Sequence, residues 1–155
     1  MNKARYAIVV SQYNTDITEK LLEGAVSHLI KSGVGKDCIA VFKVPGAVEI
    51  PLIAKLLARR QKYKAIIALG AVIRGDTDHY DYVCEQVSQG CQRVMLEFEI
   101  PVIFGVLTTL NKEQALERAG GIHGHKGIEA ADAALQMAVL MSEAKSSLDD
   151  HKSLM

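Results

Sequence analysis

Hydrophobic positions fall along this chain in two alternating rhythms. Four short apolar runs are rich in β-branched residues: Tyr6 to Val10 (YAIVV), Ile39 to Val44 (IAVFKV), Ala65 to Leu69 (AIIAL) and Pro101 to Thr108 (PVIFGVLT). Runs of this length without alternation predict strands buried on both faces. Between them apolar residues recur at helical spacing. Ile17, Leu21, Leu22, Ala25 and Leu29 predict a helix over TDITEKLLEGAVSHLI, with capping-box-like spacing from Asp16 to Glu19 and a stop at Gly33 and Gly35. A second helix follows PGAVEIP and runs through Leu57; a third, YVCEQVSQGCQRVMLEF, carries one interior glycine. NKEQALERA predicts a short helix with Asn111 as N-cap and Gln114 three residues on, ended by Gly120 and Gly121. HKGIEAADAALQMAVLMSEA predicts a last helix, alanine-rich and able to let neighbours approach closely, with a polar tail from Lys145 expected to fray.

The order is therefore βαβαβαβαα. Strands separated by helices imply a three-layer α/β/α sandwich on a four-stranded parallel sheet, here one domain over residues 1–155 with no linker or repeat. In such sheets ligands sit outside the carboxyl ends of the strands. Every unusual polar segment lies there: SQYN after the first strand, PGAVE after the second, GAVIRGDTDH after the third and LTT after the fourth.

Composition narrows the function classes. With 49% hydrophobic residues the chain can bury a core, and 18 basic against 18 acidic residues leave no electrostatic case for nucleic acid or an anionic membrane. No apolar run nears the roughly 18 residues that span a bilayer. The opening MNKARYAIVV turns polar at Ser11 and reads as a strand rather than a signal peptide. Cys38, Cys84 and Cys91 are odd in number and lack metal-knuckle spacing, as expected of buried free thiols in a reducing cytoplasm.

The candidate chemistry at the rim has competing readings. In RGDT, Gly75 permits close backbone approach and the Thr77 hydroxyl can donate, beside a helix N-terminus that favours an anion. A phosphate fits, and so does an ordinary capped turn; Asp76 would repel phosphate unless it points away. His79 suits proton transfer at a condensing carbonyl, or is a partly exposed turn histidine. The helix dipole opposes its charged form, whereas Asp78, Asp81 or a bound phosphate favours it. Glu49 can serve a ligand or merely complement a helix start. Tyr13 and Asn14 can stack a flat ring and bond its edge, or form a turn. Arg118 can pair an anion or cap a helix end. Lys126 opens the last helix, where the dipole disfavours a cation, so it points to function or to pairing with Glu129 or another acid. His123 and His125 have no acid or cysteine partner at metal-ligand spacing.

Taken together and in order, VPGAVEIP, ALGAVIRGDTDHYDYV, PVIFGVLTT, EQALERAG and HKGIEAA resemble the 6,7-dimethyl-8-ribityllumazine synthase family of riboflavin biosynthesis, over about Tyr6 to Leu140. The resemblance implies a condensation of 5-amino-6-(D-ribitylamino)uracil with 3,4-dihydroxy-2-butanone 4-phosphate, without metal or organic cofactor. It implies that Tyr13 stacks on the pyrimidine, with Asn14 beside it. Ala47, Val48 and Glu49 would contact the ribityl chain, and Ala71, Val72 and Ile73 the uracil. Asp76 and Thr77 would form the phosphate loop, with His79 the proton donor. Phe104, Arg118 and Lys126 would come from a neighbouring subunit, Arg118 gripping the phosphate. The partners implied are those two substrates and further copies of the chain, in a pentamer or a multiple of pentamers; starting close to the first strand, the chain is expected to be able to stop at the pentamer. It departs from the family at Tyr13 (usually phenylalanine or tryptophan), Val48 (commonly aromatic) and Asp76 (often small). The topology alone is flavodoxin-like and would also suit an electron carrier, a reading weakened by the lack of strong acidity and of tryptophan. A flavin or lumazine carrier of the same fold would not need Thr77, His79, Arg118 and Lys126 together.

Overall fold

A computed structural model of the chain describes residues 3–153. The strands are β1 (Tyr6–Ser11), β2 (Ile39–Val44), β3 (Ala65–Ile73) and β4 (Val102–Thr109), all parallel and ordered β2-β1-β3-β4. The helices are α1 (Thr15–Lys31), α2 (Ile50–Arg59), α3 (His79–Phe98), α4 (Lys112–Glu117) and α5 (Lys126–Ser153). A two-stranded hairpin, β5 (Ala119–Gly121) and β6 (Gly124–His125), separates the last two helices. The four-stranded parallel sheet flanked by helices is the α/β, flavodoxin-like arrangement expected. Among the described residues no helix is long and apolar enough to cross a membrane.

The unalternating strands follow from a core on each side. All six residues of β1 are buried. Tyr6, Ile8 and Val10 pack with Ile17, Leu21, Ala25 and Leu29 of α1 and with Ala130, Ala131 and Ala134 of α5. Ala7 and Val9 point the other way, towards Ile50, Ala54 and Leu57 of α2 and Val87, Cys91 and Val94 of α3. Burial pushes the Cys91 thiol up to about 12, so it is inert as a nucleophile. Both helix pairs meet through glycine. A Cβ on Gly90 would lie 2.6 Å from Pro51 Cγ between α3 and α2, and one on Gly127 would lie 2.8 Å from the Leu21 carbonyl carbon between α5 and α1. The latter pair is also joined by His28 Nε2, 3.1 Å from an Asp132 carboxylate oxygen, which holds that carboxyl below its usual range.

Three sequence expectations are corrected. The third strand does not stop at Leu69. It runs to Ile73 because β4 is long enough to pair it from Ile66↔Val102 to Ile73↔Thr109, and Gly70 serves close approach, a Cβ there falling 2.8 Å from Ser11 Oγ. Asp16 and Glu19 form no capping box. Asp16 pairs with Lys112, and a Glu19 carboxylate oxygen lies 3.4 Å from Lys43 Nζ. Gly120 and Gly121 build the hairpin rather than a simple helix stop, because Gly120 (φ 104°) and Gly124 (φ 92°) take left-handed conformations that turn the chain. Helix α5 extends through the polar tail from Lys145 to Ser153, a stretch without glycine or proline. The Asn111 cap forms as expected: its Oδ1 accepts from Gln114 N at 2.8 Å, and Gln114 Oε1 accepts from Leu110 N at 2.9 Å.

Candidate active site

The carboxyl ends of β1, β2 and β3 open into a cavity of about 420 Å³. Tyr13 and Asn14 enter it from the turn after β1. Asn14 sits in the left-handed region (φ 61°), a conformation asparagine tolerates, and instead of capping α1 its Nδ2 donates to Ala71 O on β3 at 3.0 Å. Beyond β2, Ala47, Val48 and Glu49 form a single 3₁₀ turn on the cavity wall before α2. The Glu49 carboxylate accepts from Gly46 N at 3.2 Å, leaving its second oxygen for a ligand hydroxyl. Ala71, Val72 and Ile73 are β3 residues and form the floor. Thr77 and His79 close the side at the start of α3.

The α3 entry is a tight turn. Thr77 Oγ1 accepts from His79 N at 3.3 Å, and Asp78 O accepts from Asp81 N at 3.1 Å, so α3 begins at His79, three residues earlier than the periodicity places it. His79 is exposed. A Cβ on Gly75 would meet nothing within 4 Å, so the turn leaves room for a ligand against its backbone. Asp76 is exposed and lines neither this cavity nor the next. Tyr80 and Val83 also line the cavity, and no spacing rule points to them. Burial raises the pKa of the Tyr80 phenol, so it stays a hydrogen-bond donor near neutrality, and its ring lies 5.9 Å beneath the Arg74 guanidinium.

A second cavity, about 600 Å³, has no lining residue in common with the first. It holds Phe104 from β4, Arg118 from the end of α4 and Lys126 from the start of α5. The hairpin brings the two cations together, with Lys126 N donating to Arg118 O at 2.7 Å. Glu117 and Glu129 share the cavity, yet among the described residues no carboxylate lies within 4 Å of the Arg118 guanidinium or the Lys126 ammonium. Of the two readings of Lys126, the ion pair with Glu129 does not form among the described residues. His123 and His125, weighed as metal ligands, have other partners: His123 Nε2 lies 3.6 Å from Glu117, and His125 Nδ1 accepts from Gly127 N at 3.1 Å.

Residues 3–142 match the sequence model of the family described as 6,7-dimethyl-8-ribityllumazine synthase. The chain belongs to this family. Relatives named 6,7-dimethyl-8-ribityllumazine synthase from Coxiella burnetii strains CbuG_Q212 and RSA 493 / Nine Mile phase I are each 60% identical over 139 residues, covering 90% of this chain and 92% of theirs. The relative of that name from the Dugway 5J108-111 strain matches to the same extent. Within the lumazine synthase frame, the three departures fall in three different surroundings. The Tyr13 ring packs over Gly46, where a Cβ would sit 3.4 Å from Tyr13 Cδ2, with its outer face open. Val48, 38% exposed, leaves the rim of the first cavity wider than an aromatic ring would. Asp76 keeps its charge in solvent, outside both cavities.

Proposed function

We propose that the condensation this enzyme catalyses, of 5-amino-6-(D-ribitylamino)uracil with 3,4-dihydroxy-2-butanone 4-phosphate to 6,7-dimethyl-8-ribityllumazine and phosphate, takes place at a site shared by two protomers. The carrying observation is the division of candidate residues between two cavities of one chain that have no lining residue in common. Tyr13, Asn14, Glu49, the β3 end and His79 suit the heterocycle and its ribityl chain. Arg118 and Lys126 suit a phosphate, and Phe104 offers a second aromatic surface. One protomer's first cavity meeting its neighbour's second would assemble the set. We take the assembly as a homopentamer or a multiple of it, built from single-domain chains, and the enzyme as cytoplasmic, in keeping with its free thiols.

The chemistry asks little covalent work of the protein. The substrate amine attacks the ketone, water leaves to give the imine, phosphate is eliminated, and the ribityl-bearing nitrogen closes the ring on the remaining carbonyl with loss of a second water. Holding two reactants in register accounts for up to about 7–11 kcal/mol of such a barrier. His79, at the mouth of the cavity, moves a proton at the carbonyl oxygen or the departing phosphate. Asp76 and Thr77 lie at the bend that receives the phosphate; the Thr77 hydroxyl donates to it, whereas Asp76 stays turned to water.

Two predictions test this reading. His79→Ala should lower kcat by about 10²-fold, the scale of one acid–base group, and leave measurable turnover. Complete loss would place proton transfer above positioning. Mixing Arg118→Ala with Tyr13→Ala subunits, dissociated and reassembled, should restore activity at about one interface in four by random pairing. Absence of recovery in rings verified as mixed by native mass would refute the shared site. Lumazine absorbance and particle mass are read on the same sample.

A further inference from the structure

His125 stands where β6 meets α5, paired across the hairpin with Ala119 and followed directly by Lys126. Its ring does more than fill space. Nδ1 accepts from Gly127 N at 3.1 Å and from Ile128 N at 3.3 Å, two of the N–H groups that the first turn of α5 leaves without a helical partner. Accepting requires a lone pair on Nδ1, so the ring proton sits on Nε2. The Cε1 corner of the ring, between its two nitrogens, presses on α1, where a Cβ on Gly24 would lie 2.5 Å from Nε2, 2.9 Å from Nδ1 and nearer still to Cε1. A Cβ on Gly120 would fall 3.3 Å from Cδ2. One side chain thus bears on α5, α1 and β5 at once, in a space left by two glycines.

The phosphate half-site hangs on these same elements. Arg118 precedes β5 and Lys126 follows His125, and their backbones are joined by the 2.7 Å bond from Lys126 N to Arg118 O. His125 itself lines neither cavity. We infer that His125 is a positioning residue: by capping α5 and wedging against Gly24, it sets the separation of Arg118 and Lys126 and thereby the fit to the substrate phosphate. The inference rests on the reading of those two cations as the phosphate site. A histidine suits this position over a smaller cap because its ring reaches α1 while Nδ1 caps α5.

The test is steady-state kinetics with each substrate varied in turn, together with far-ultraviolet circular dichroism and native mass of each variant. His125→Ala should raise KM for the butanone phosphate by about fivefold or more, the equilibrium ratio of a lost N-cap. KM for the ribitylaminouracil should stay within about twofold. An asparagine Oδ1 falls where Nδ1 lies, so His125→Asn should recover most of the phosphate KM, whereas His125→Gln, whose amide lies one bond further out, should not. Gly24→Ala should reproduce the KM effect alone and lose most of it when combined with His125→Asn, which removes Cε1 and Nε2 from the collision and leaves only the 2.9 Å approach to the atom at the Nδ1 position. An unaffected phosphate KM in His125→Ala, equal rises in both KM values, or an asparagine variant no better than glutamine overturns the inference. If His125→Ala fails to fold, the asparagine–glutamine comparison and the Gly24 pair decide it. Arg118→Ala separates the two levels. If it raises the phosphate KM and the His125 variants do not, the positioning role is wrong; if it does not, the phosphate site itself is wrong.

Discussion

Arg118→Ala is expected to lower kcat/KM by about a hundredfold or more while the assembly keeps its mass. A guanidinium gripping two phosphate oxygens makes charge-assisted hydrogen bonds, and deleting such a pair costs about 3 kcal/mol. The structure gives the side chain no competing task, since among the described residues no carboxylate lies within 4 Å of it and it is exposed in the protomer. Its backbone ties to Ala115 O at 3.1 Å and to Lys126 N at 2.7 Å survive truncation, so the hairpin should persist. Arg118→Lys should recover only part of the loss, because an ammonium is a point charge beside a second one at Lys126. Initial rates of lumazine formation, with both substrates varied, provide the check. Near-normal kinetics for the alanine variant would remove Arg118 from the site.

Gly127→Ala should be the most damaging single-methyl change in the molecule. The added carbon would collide with the Leu21 carbonyl oxygen and lie 2.8 and 2.9 Å from its carbon and Cα. These are backbone atoms at the centre of α1 and cannot rotate away as a side chain would. Helix α5 would have to shift, opening contacts of Ala130, Ala131 and Ala134 with the sheet. Overpacking of this kind costs roughly 3 kcal/mol, against about 1 kcal/mol regained from helix propensity. The net loss of about 2 kcal/mol should lower Tm by about 4–8 °C for a chain of this size. An unchanged Tm in a thermal melt would show that the seam between these helices is softer than its geometry implies.

Local chemistry is the most readable part of the sequence. The Asn111 cap is legible because its partners lie within four residues. The parallel sheet is legible because short apolar runs without alternation, spaced by helices, belong to strands covered on both faces. The extent of β3 is not local. Gly70 looks like a break until the length of β4 and the nearness of Ser11 are known. His125 likewise offers no signal of its role, since the amides it caps follow it in sequence but the space it occupies is made by Gly24, about a hundred residues earlier. At the site, the expected residues that gather in the first cavity come from strand ends and the turns after them, where topology puts ligands. Tyr80 escapes that reading because it lies inside α3. The separation of Phe104, Arg118 and Lys126 from the rest is a matter of tertiary placement that no spacing encodes.

The amide of Asn14 has a consequence for recognition. A carbonyl oxygen has two lone pairs, and the bond from Asn14 Nδ2 engages one of them on Ala71. Ala71 and Asn14 both line the first cavity, so this bond ties two of its walls together. On the proposed reading, a heterocycle entering this cavity would meet an Asn14 amide already held to β3, an order that needs no rearrangement to be expressed.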